Sequence, residues 1–173
     1  MEIIRLNAEE YSGKKYSVKY ESMGYYNIQE QKDSFEFKFY ETYKPEEHVL
    51  QDEILAEWLE NPVAYGAFED NKLVGYVEGY LETWNNRFRI SNIVIFDKNQ
   101  RNAGIGTKLF LKIVEDAHKC GARMVFLETQ SCNTNAIAFY KKMGFRVIGF
   151  DQYAYSNEGP ENHEMLIWMG KKL

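Results

Sequence analysis

The chain has 173 residues, of which 45% are hydrophobic and 27% charged, with 13 Tyr, 11 Phe, 3 Trp and only 3 Pro; one folded domain is expected, and a disordered or low-complexity chain is excluded. A formal charge of -5 argues against nonspecific nucleic-acid binding, which needs a basic footprint to displace phosphate counterions, and it suits a cationic partner. No apolar run reaches bilayer length and residues 1–5 lack a signal pattern, so a cytoplasmic protein without a membrane partner is expected. Cys120 and Cys132 stand twelve residues apart without a histidine partner at ligand spacing, which fits neither a zinc site nor a disulfide framework. Both read as reduced thiols, and no metal is implied.

In chain order, residues 8–44 hold a Tyr-rich stretch without a clear period, open to reading as helix or as a loop over substrate, while Phe35, Phe37 and Phe39 alternate like a strand face. Residues 45–61 predict a helix. Pro45 suits its first turn, Glu46 and Glu47 favour the positive end, and Leu50, Ile54, Leu55, Trp58 and Leu59 form one stripe before Asn61-Pro62. Residues 63–68 and 73–84 read as antiparallel strands joined by the turn Glu69-Asp70-Asn71-Lys72, and residues 87–96 as a third strand of the same meander.

From Gly104 the period becomes helical, with Ile105, Leu109, Phe110, Ile113, Val114 and Ala117 on one face until Gly121 stops it. Residues 123–128 form a buried strand. Residues 133–143 form a shorter helix capped by Asn133 and closed by Gly144, and residues 145–155 and 163–168 make a last hairpin.

The run Arg101-Asn102-Ala103-Gly104-Ile105-Gly106-Thr107 lies between a strand and an amphipathic helix. Glycines there let backbone approach an anion while the unpaired N–H groups of the first helical turn face it. Arg101 adds a fork of donors. Alone, the pattern also fits a tight strand-to-helix turn. It is not a Walker loop, because Thr107-Lys108 reverses the required order, nor a dinucleotide fingerprint, because it follows an antiparallel meander.

A second segment, Asn133-Thr134-Asn135-Ala136-Ile137-Ala138-Phe139-Tyr140-Lys141-Lys142-Met143-Gly144-Phe145, follows the buried strand. Together with Arg101 to Gly106 it resembles the GNAT acetyltransferase superfamily, whose R/Q-x-x-G-x-G/A loop precedes an N-x-x-A-x-x-F-Y-x-x-x-G-F helix in this order and spacing. The resemblance runs from about Val63 to the C-terminus. The stretches Glu82-Thr83-Trp84-Asn85-Asn86-Arg87, Leu127-Glu128-Thr129-Gln130 and Ile148-Gly149-Phe150-Asp151 further resemble streptothricin acetyltransferases, which acetylate an amine of a cationic antibiotic.

This resemblance implies acetyl-CoA as acyl donor, with its pyrophosphate on Arg101, Asn102, Ala103, Gly104, Ile105, Gly106 and Thr107. It implies that backbone groups of Val94, Ile95 and Phe96, on a strand splayed from its parallel neighbour, take the thioester carbonyl and pantetheine arm. Asn133 would bind the same arm, and Tyr140 would protonate the departing CoA sulfur. From the residues alone, Asn133 also reads as an ordinary N-cap and Tyr140 as a core aromatic. Homodimers are common among proteins of this kind.

The acceptor amine, with a pKa near ~10, is protonated at neutral pH and needs an outlet for its proton. Alternation on residues 73–84 places Tyr76, Glu78, Tyr80, Glu82 and Trp84 on one face, which resembles a cation pocket as well as the outer face of a meander. Glu82, ahead of Glu78, is the candidate base. Tyr80, Glu82, Trp84 and Asp151 are candidate substrate contacts, with a turn role as the other reading of Asp151. His48, His118 and His163 are assigned no chemistry.

The expected fold is α/β, a central mixed, mostly antiparallel sheet of six or seven strands with helices on both faces. The expected activity is direct transfer from acetyl-CoA to a primary amine of a small cationic molecule of the streptothricin type. A protein or peptide N-terminal acetyltransferase and a nonenzymatic acyl-CoA sensor are the alternatives.

Overall fold

The structure, a computed structural model, describes residues 1–101 and 103–173. A short strand, β1 (Glu2–Arg5), leads into one helical turn, α1 (Ala8–Tyr11), whose cap Asn7 accepts a hydrogen bond from the Glu9 amide at 3.0 Å. Two long strands follow, β2 (Lys14–Glu30) and β3 (Phe35–Ile54), which pair as a separate two-stranded sheet. The alternating Phe35, Phe37 and Phe39 therefore do lie on a strand, and the Tyr-rich stretch before them is strand rather than helix or loop.

The helix expected over residues 45–61 does not form. Its first ten residues continue β3, and the chain then turns. Of the supposed stripe, Ile54, Leu55 and Leu59 are buried while Leu50 and Trp58 are exposed, so the helical spacing did not mark one buried face. A two-stranded ribbon has only edges, which lets Pro45 sit in it without an N–H to offer. Pairing with a distant strand outweighed the local helix signals. The ribbon ends at Leu55, whose φ of 50° costs a branched residue about 1–2 kcal/mol. That conformation is held from both sides: the Leu55 amide donates to Glu78 at 2.7 Å, and its carbonyl accepts from the Ser12 hydroxyl at 2.8 Å.

The meander forms as expected from β4 (Val63–Glu69), β5 (Lys72–Glu82) and β6 (Arg87–Ile95). Asp70 and Asn71 both take positive φ at the first turn, the two-residue geometry that matches strand twist. The helix α2 (Ile105–Lys119) packs its buried face, Ile105, Leu109, Phe110, Ile113, Val114 and Ala117, on β4, β5 and β6. Then come β7 (Met124–Gln130), α3 (Thr134–Lys142), and the hairpin β8 (Arg146–Asp151) and β9 (Leu166–Lys172).

The larger sheet has seven strands in the order β1-β4-β5-β6-β7-β9-β8. It is mixed and mostly antiparallel: β1 with β4, β4 with β5, β5 with β6 and β8 with β9 run antiparallel, and β6 with β7 runs parallel. The chain divides into two compact units, one of Met1–Val18, Leu50–Leu127 and Lys172–Leu173, the other of Lys19–Val49 and Glu128–Lys171. In the first, Leu6, Val18, Ile54, Leu55, Ala64, Tyr76 and Val94 form one apolar cluster. In the second, Ile28, Ile137, Phe145, Met165 and Ile167 are buried. Among the described residues no helix is long and apolar enough to cross a membrane.

Candidate active site

The first unit holds the glycine loop. After β6, Asp97 caps a 3-10 turn (Lys98–Gln100) by accepting from the Asn99 amide at 2.8 Å, and the turn is tied to the end of β4 by Gln100 donating to Glu69 at 2.8 Å. Gly104 then takes φ 82° as the N-cap of α2 and makes no side-chain cap hydrogen bond. A Cβ there would meet nothing within 4 Å, so glycine serves the backbone conformation and the space beside it is open. The amides of Ile105, Gly106 and Thr107, the first three of the helix, therefore have no side-chain bond from the Gly104 cap and no intrahelical acceptor among the described residues. This arrangement fits a pyrophosphate. Asn102 lies outside the described residues.

The register between β6 and β7 covers, among the described residues, only Arg87–Arg89 opposite Met124–Phe126. Beyond Arg89 the two parallel strands part, while β6 stays paired with β5 as far as Ile95 opposite Gly75. Val94 is buried, and the Phe96 amide donates to the Val74 carbonyl at 3.0 Å. The splay leaves one edge of β6 able to accept an extended chain as an added strand.

On β5, Tyr76 and Glu78 are both fully buried. Each side chain is matched to a partner: the Tyr76 hydroxyl donates to the Tyr16 hydroxyl at 2.9 Å, and Glu78 accepts from the Leu55 amide at 2.7 Å and from Asn92, its cross-strand neighbour, at 2.8 Å. The same Asn92 amide nitrogen donates to Asp52 at 3.0 Å. One amide thus bridges two carboxylates. Burial raises the Glu78 pKa above its ordinary value, the hydrogen bonds from Asn92 and Leu55 oppose that rise, and the Asp52 charge adds to it.

Asp52 and Glu53 line an open cavity of about 660 Å³ together with Lys15, Tyr16 and Trp58. The Trp58 and Tyr80 rings meet edge to face with centroids 6.5 Å apart. Glu82 is placed differently from Glu78. It is clamped by Arg87, directly opposite on β6, at 3.1 Å and by Asn85 at 2.7 Å, and the Arg87 guanidinium lies 4.0 Å from the Phe126 ring centroid. Trp84 is not on the β5 face at all, because the strand ends at Glu82 and Trp84 sits in the following turn, 82% exposed.

Sequence reasoning missed Asp52 and Trp58, both hidden inside the supposed helix. An acidic pair six residues before a tryptophan was the available signal.

The second unit carries the other motif. Asn133 is the N-cap of α3, its side-chain oxygen accepting from the Ala136 amide at 3.2 Å. Tyr140 is buried between Phe139 and Phe145, with ring centroids 5.5 and 5.9 Å away. Burial raises its pKa well above the ordinary phenol value, so the hydroxyl keeps its proton at neutral pH. Asp151 accepts from the Tyr153 amide at 2.9 Å, a turn contact. Contrary to expectation, Cys132 does have a histidine nearby: His48 Nδ1 lies 3.9 Å from its sulfur, although 84 residues separate them in the chain.

These features have counterparts in known proteins. Residues 26–145 match the acetyltransferase (GNAT) family. The chain belongs to that family. Among its GNAT relatives, a streptothricin acetyltransferase from Streptomyces lavendulae is 33% identical over 104 residues, covering 60% of this chain and 53% of that protein. Streptothricin acetyltransferase A from Bacillus subtilis is 32% identical over 115 residues, covering 65% and 64%. The chain thus spans less than two thirds of the length of these relatives. A GNAT-fold protein from Bacillus anthracis, solved in complex with acetyl coenzyme A, superimposes with a TM-score of 0.73 at 21% identity over 99% of this chain and 98% of that one.

Proposed function

We propose that this protein transfers the acetyl group of acetyl-CoA directly to a primary amine of a small cationic acceptor of the streptothricin class. The observation that carries the donor side is the open, uncapped start of α2 at Gly104 beside the splayed edge of β6. Within the family fold, such a pair suits a pyrophosphate followed by an extended amide-bearing arm. Arg101, Gly104, Ile105, Gly106 and Thr107 would hold the phosphates, and the free edge of β6 around Ile95, between Val94 and Phe96, would take the arm, with Asn133 contributing its amide.

On the acceptor side, the cavity bearing Asp52, Glu53 and Trp58 offers an ammonium group carboxylate charge and an aromatic surface. Glu78 is assigned the proton outlet in preference to Glu82, because Glu82 is ion-paired with Arg87, whereas Glu78 has only neutral hydrogen-bond donors and is linked through Asn92 to the cavity carboxylate Asp52. The amine nitrogen, having lost one proton by way of Glu78, forms the new C–N bond as the C–S bond breaks, and it releases its second proton to solvent as the amide forms. Tyr140 returns a proton to the sulfur and recovers one from solvent. Tyr80 supports the pocket through its ring contact with Trp58.

The test is release of free CoA thiol from acetyl-CoA with a panel of acceptors. Streptothricin is expected to be turned over and short peptides bearing a free N-terminus are not. Turnover of peptides alone would replace this reading with a peptide N-terminal acetyltransferase. Tight acetyl-CoA binding without turnover of any amine would replace it with an acyl-CoA sensor.

A further inference from the structure

Three metal-ligating side chains meet in the second unit, and the transfer reaction uses none of them. His48 on β3, Cys132 just before α3, and Glu164 just before β9 bring one donor atom each within 4.8 Å of one another. His48 Nδ1 is 3.9 Å from Cys132 Sγ and 4.0 Å from Glu164 Oε1. Cys132 is buried, and the His48 and Glu164 side chains are 16% and 40% exposed.

The surroundings hold the set in place. Tyr20 stacks on the His48 ring with centroids 5.0 Å apart and planes 17° apart, and its hydroxyl lies 3.6 Å from the Cys132 sulfur while donating to Gln130 at 2.8 Å. A merely structural polar cluster would satisfy its own members. Here the His48 Nδ1 to Glu164 Oε1 separation of 4.0 Å exceeds a hydrogen bond, so the ring and the carboxylate face each other without bonding directly.

The spacing is close to that of a tetrahedral set of metal ligands. With metal–sulfur and metal–nitrogen bonds of about 2.3 and 2.0 Å, neighbouring donors lie about 3.5 Å apart, so the two measured separations would need to contract by only about half an ångström. Thiolate, imidazole and carboxylate together select a borderline-soft ion, whereas magnesium and calcium favour oxygen alone.

We propose that His48, Cys132 and Glu164 form a binding site for a divalent cation of the zinc class, with its fourth position open to solvent on the Glu164 side. On binding, the Cys132 S–H bond breaks, its proton passes to water and the sulfur–metal bond forms, with no change of oxidation state. Because Cys132 directly precedes Asn133, the bound ion anchors the start of α3. The proposal is independent of the acetyl-transfer reading.

Titrating the reduced full-length protein with Co²⁺ tests it. One equivalent is expected to produce a sulfur-to-cobalt charge-transfer band that Zn²⁺ abolishes by displacement. The band should persist in Cys120→Ser, vanish in Cys132→Ser, and require more Co²⁺ in His48→Ala, by more than the roughly tenfold that loss of even an outer-shell partner costs. No band in the wild type, or a band surviving in Cys132→Ser, overturns the site. Should Cys132→Ser fail to fold, alkylation of Cys132 in the Cys120→Ser background gives a second readout. Zn²⁺ is expected to slow that alkylation at least several-fold, and an unchanged rate overturns the proposal equally.

Discussion

Glu78 and Tyr140 are both buried, and burial acts on them in the same direction, favouring the protonated form of each. For the phenol that preserves a proton donor at neutral pH; for the carboxyl it moves the acid limb of activity upward. Transfer through Glu78 would require its ionised form, so kcat/KM is expected to fall with acid around a midpoint above the ordinary glutamate value. Glu78→Gln should lower kcat by roughly 10²–10⁴ and remove that limb, and a pH–rate profile of both proteins checks it. Stability supplies a second signature. The unfolded chain ionises Glu78 before the folded chain does, so wild-type stability declines as pH rises from the ordinary glutamate pKa to the raised one. The melting temperature of Glu78→Gln relative to wild type should therefore climb with pH through that window. Tyr140→Phe keeps the ring between Phe139 and Phe145 and is expected to lower kcat by a similar order while leaving the KM for acetyl-CoA nearly unchanged, which steady-state thiol release measures.

At the scale of elements, the end of β3 is fastened to β5 and β6 by few polar contacts: the Leu55 amide on Glu78, and Asn92 between Glu78 and Asp52. Asn92→Ala leaves Glu78 with the Leu55 amide alone and is expected to cost about 1–3 kcal/mol, read by denaturant unfolding. Since the Asn92 hydrogen bond lowers the Glu78 pKa, its loss should also shift the acid limb of kcat/KM to still higher pH. These contacts could not be read from the sequence, because they depend on β3 being a strand. The meander, α2 and α3 were legible because each is announced locally: an Asp70-Asn71 turn, a buried face at helical spacing, an Asn133 cap. Residues 45–54 belong to a ribbon whose partner strand lies more than 15 residues upstream, and there Pro45, Glu46 and Glu47 imitate a helix start. The glycine loop was visible for the opposite reason, since Gly104 carries its conformational requirement in its own residue type. Asp52, Trp58 and the His48–Cys132 approach were invisible because only non-local pairing creates them.

For the whole molecule, 26 acidic and 21 basic residues leave a charge of -5, which opposes the polyanionic donor and favours a polycationic acceptor. In the proposed reading the donor would be held by short-range backbone groups and Arg101, so the long-range field would act chiefly on the acceptor's approach, where it adds to Asp52 and Glu53 in the cavity. Such attraction reaches over about one Debye length, roughly 8 Å at physiological ionic strength. Raising salt is therefore expected to reduce kcat/KM for streptothricin several-fold, with a smaller reduction for an acceptor that carries a single amine. Asp52→Asn should flatten the streptothricin dependence without altering its sign, because it removes one cavity charge and leaves the remaining field intact. Initial rates at sub-saturating acceptor across an ionic-strength series check this, and equal salt slopes for the two acceptors would show that charge plays no part in choosing the substrate.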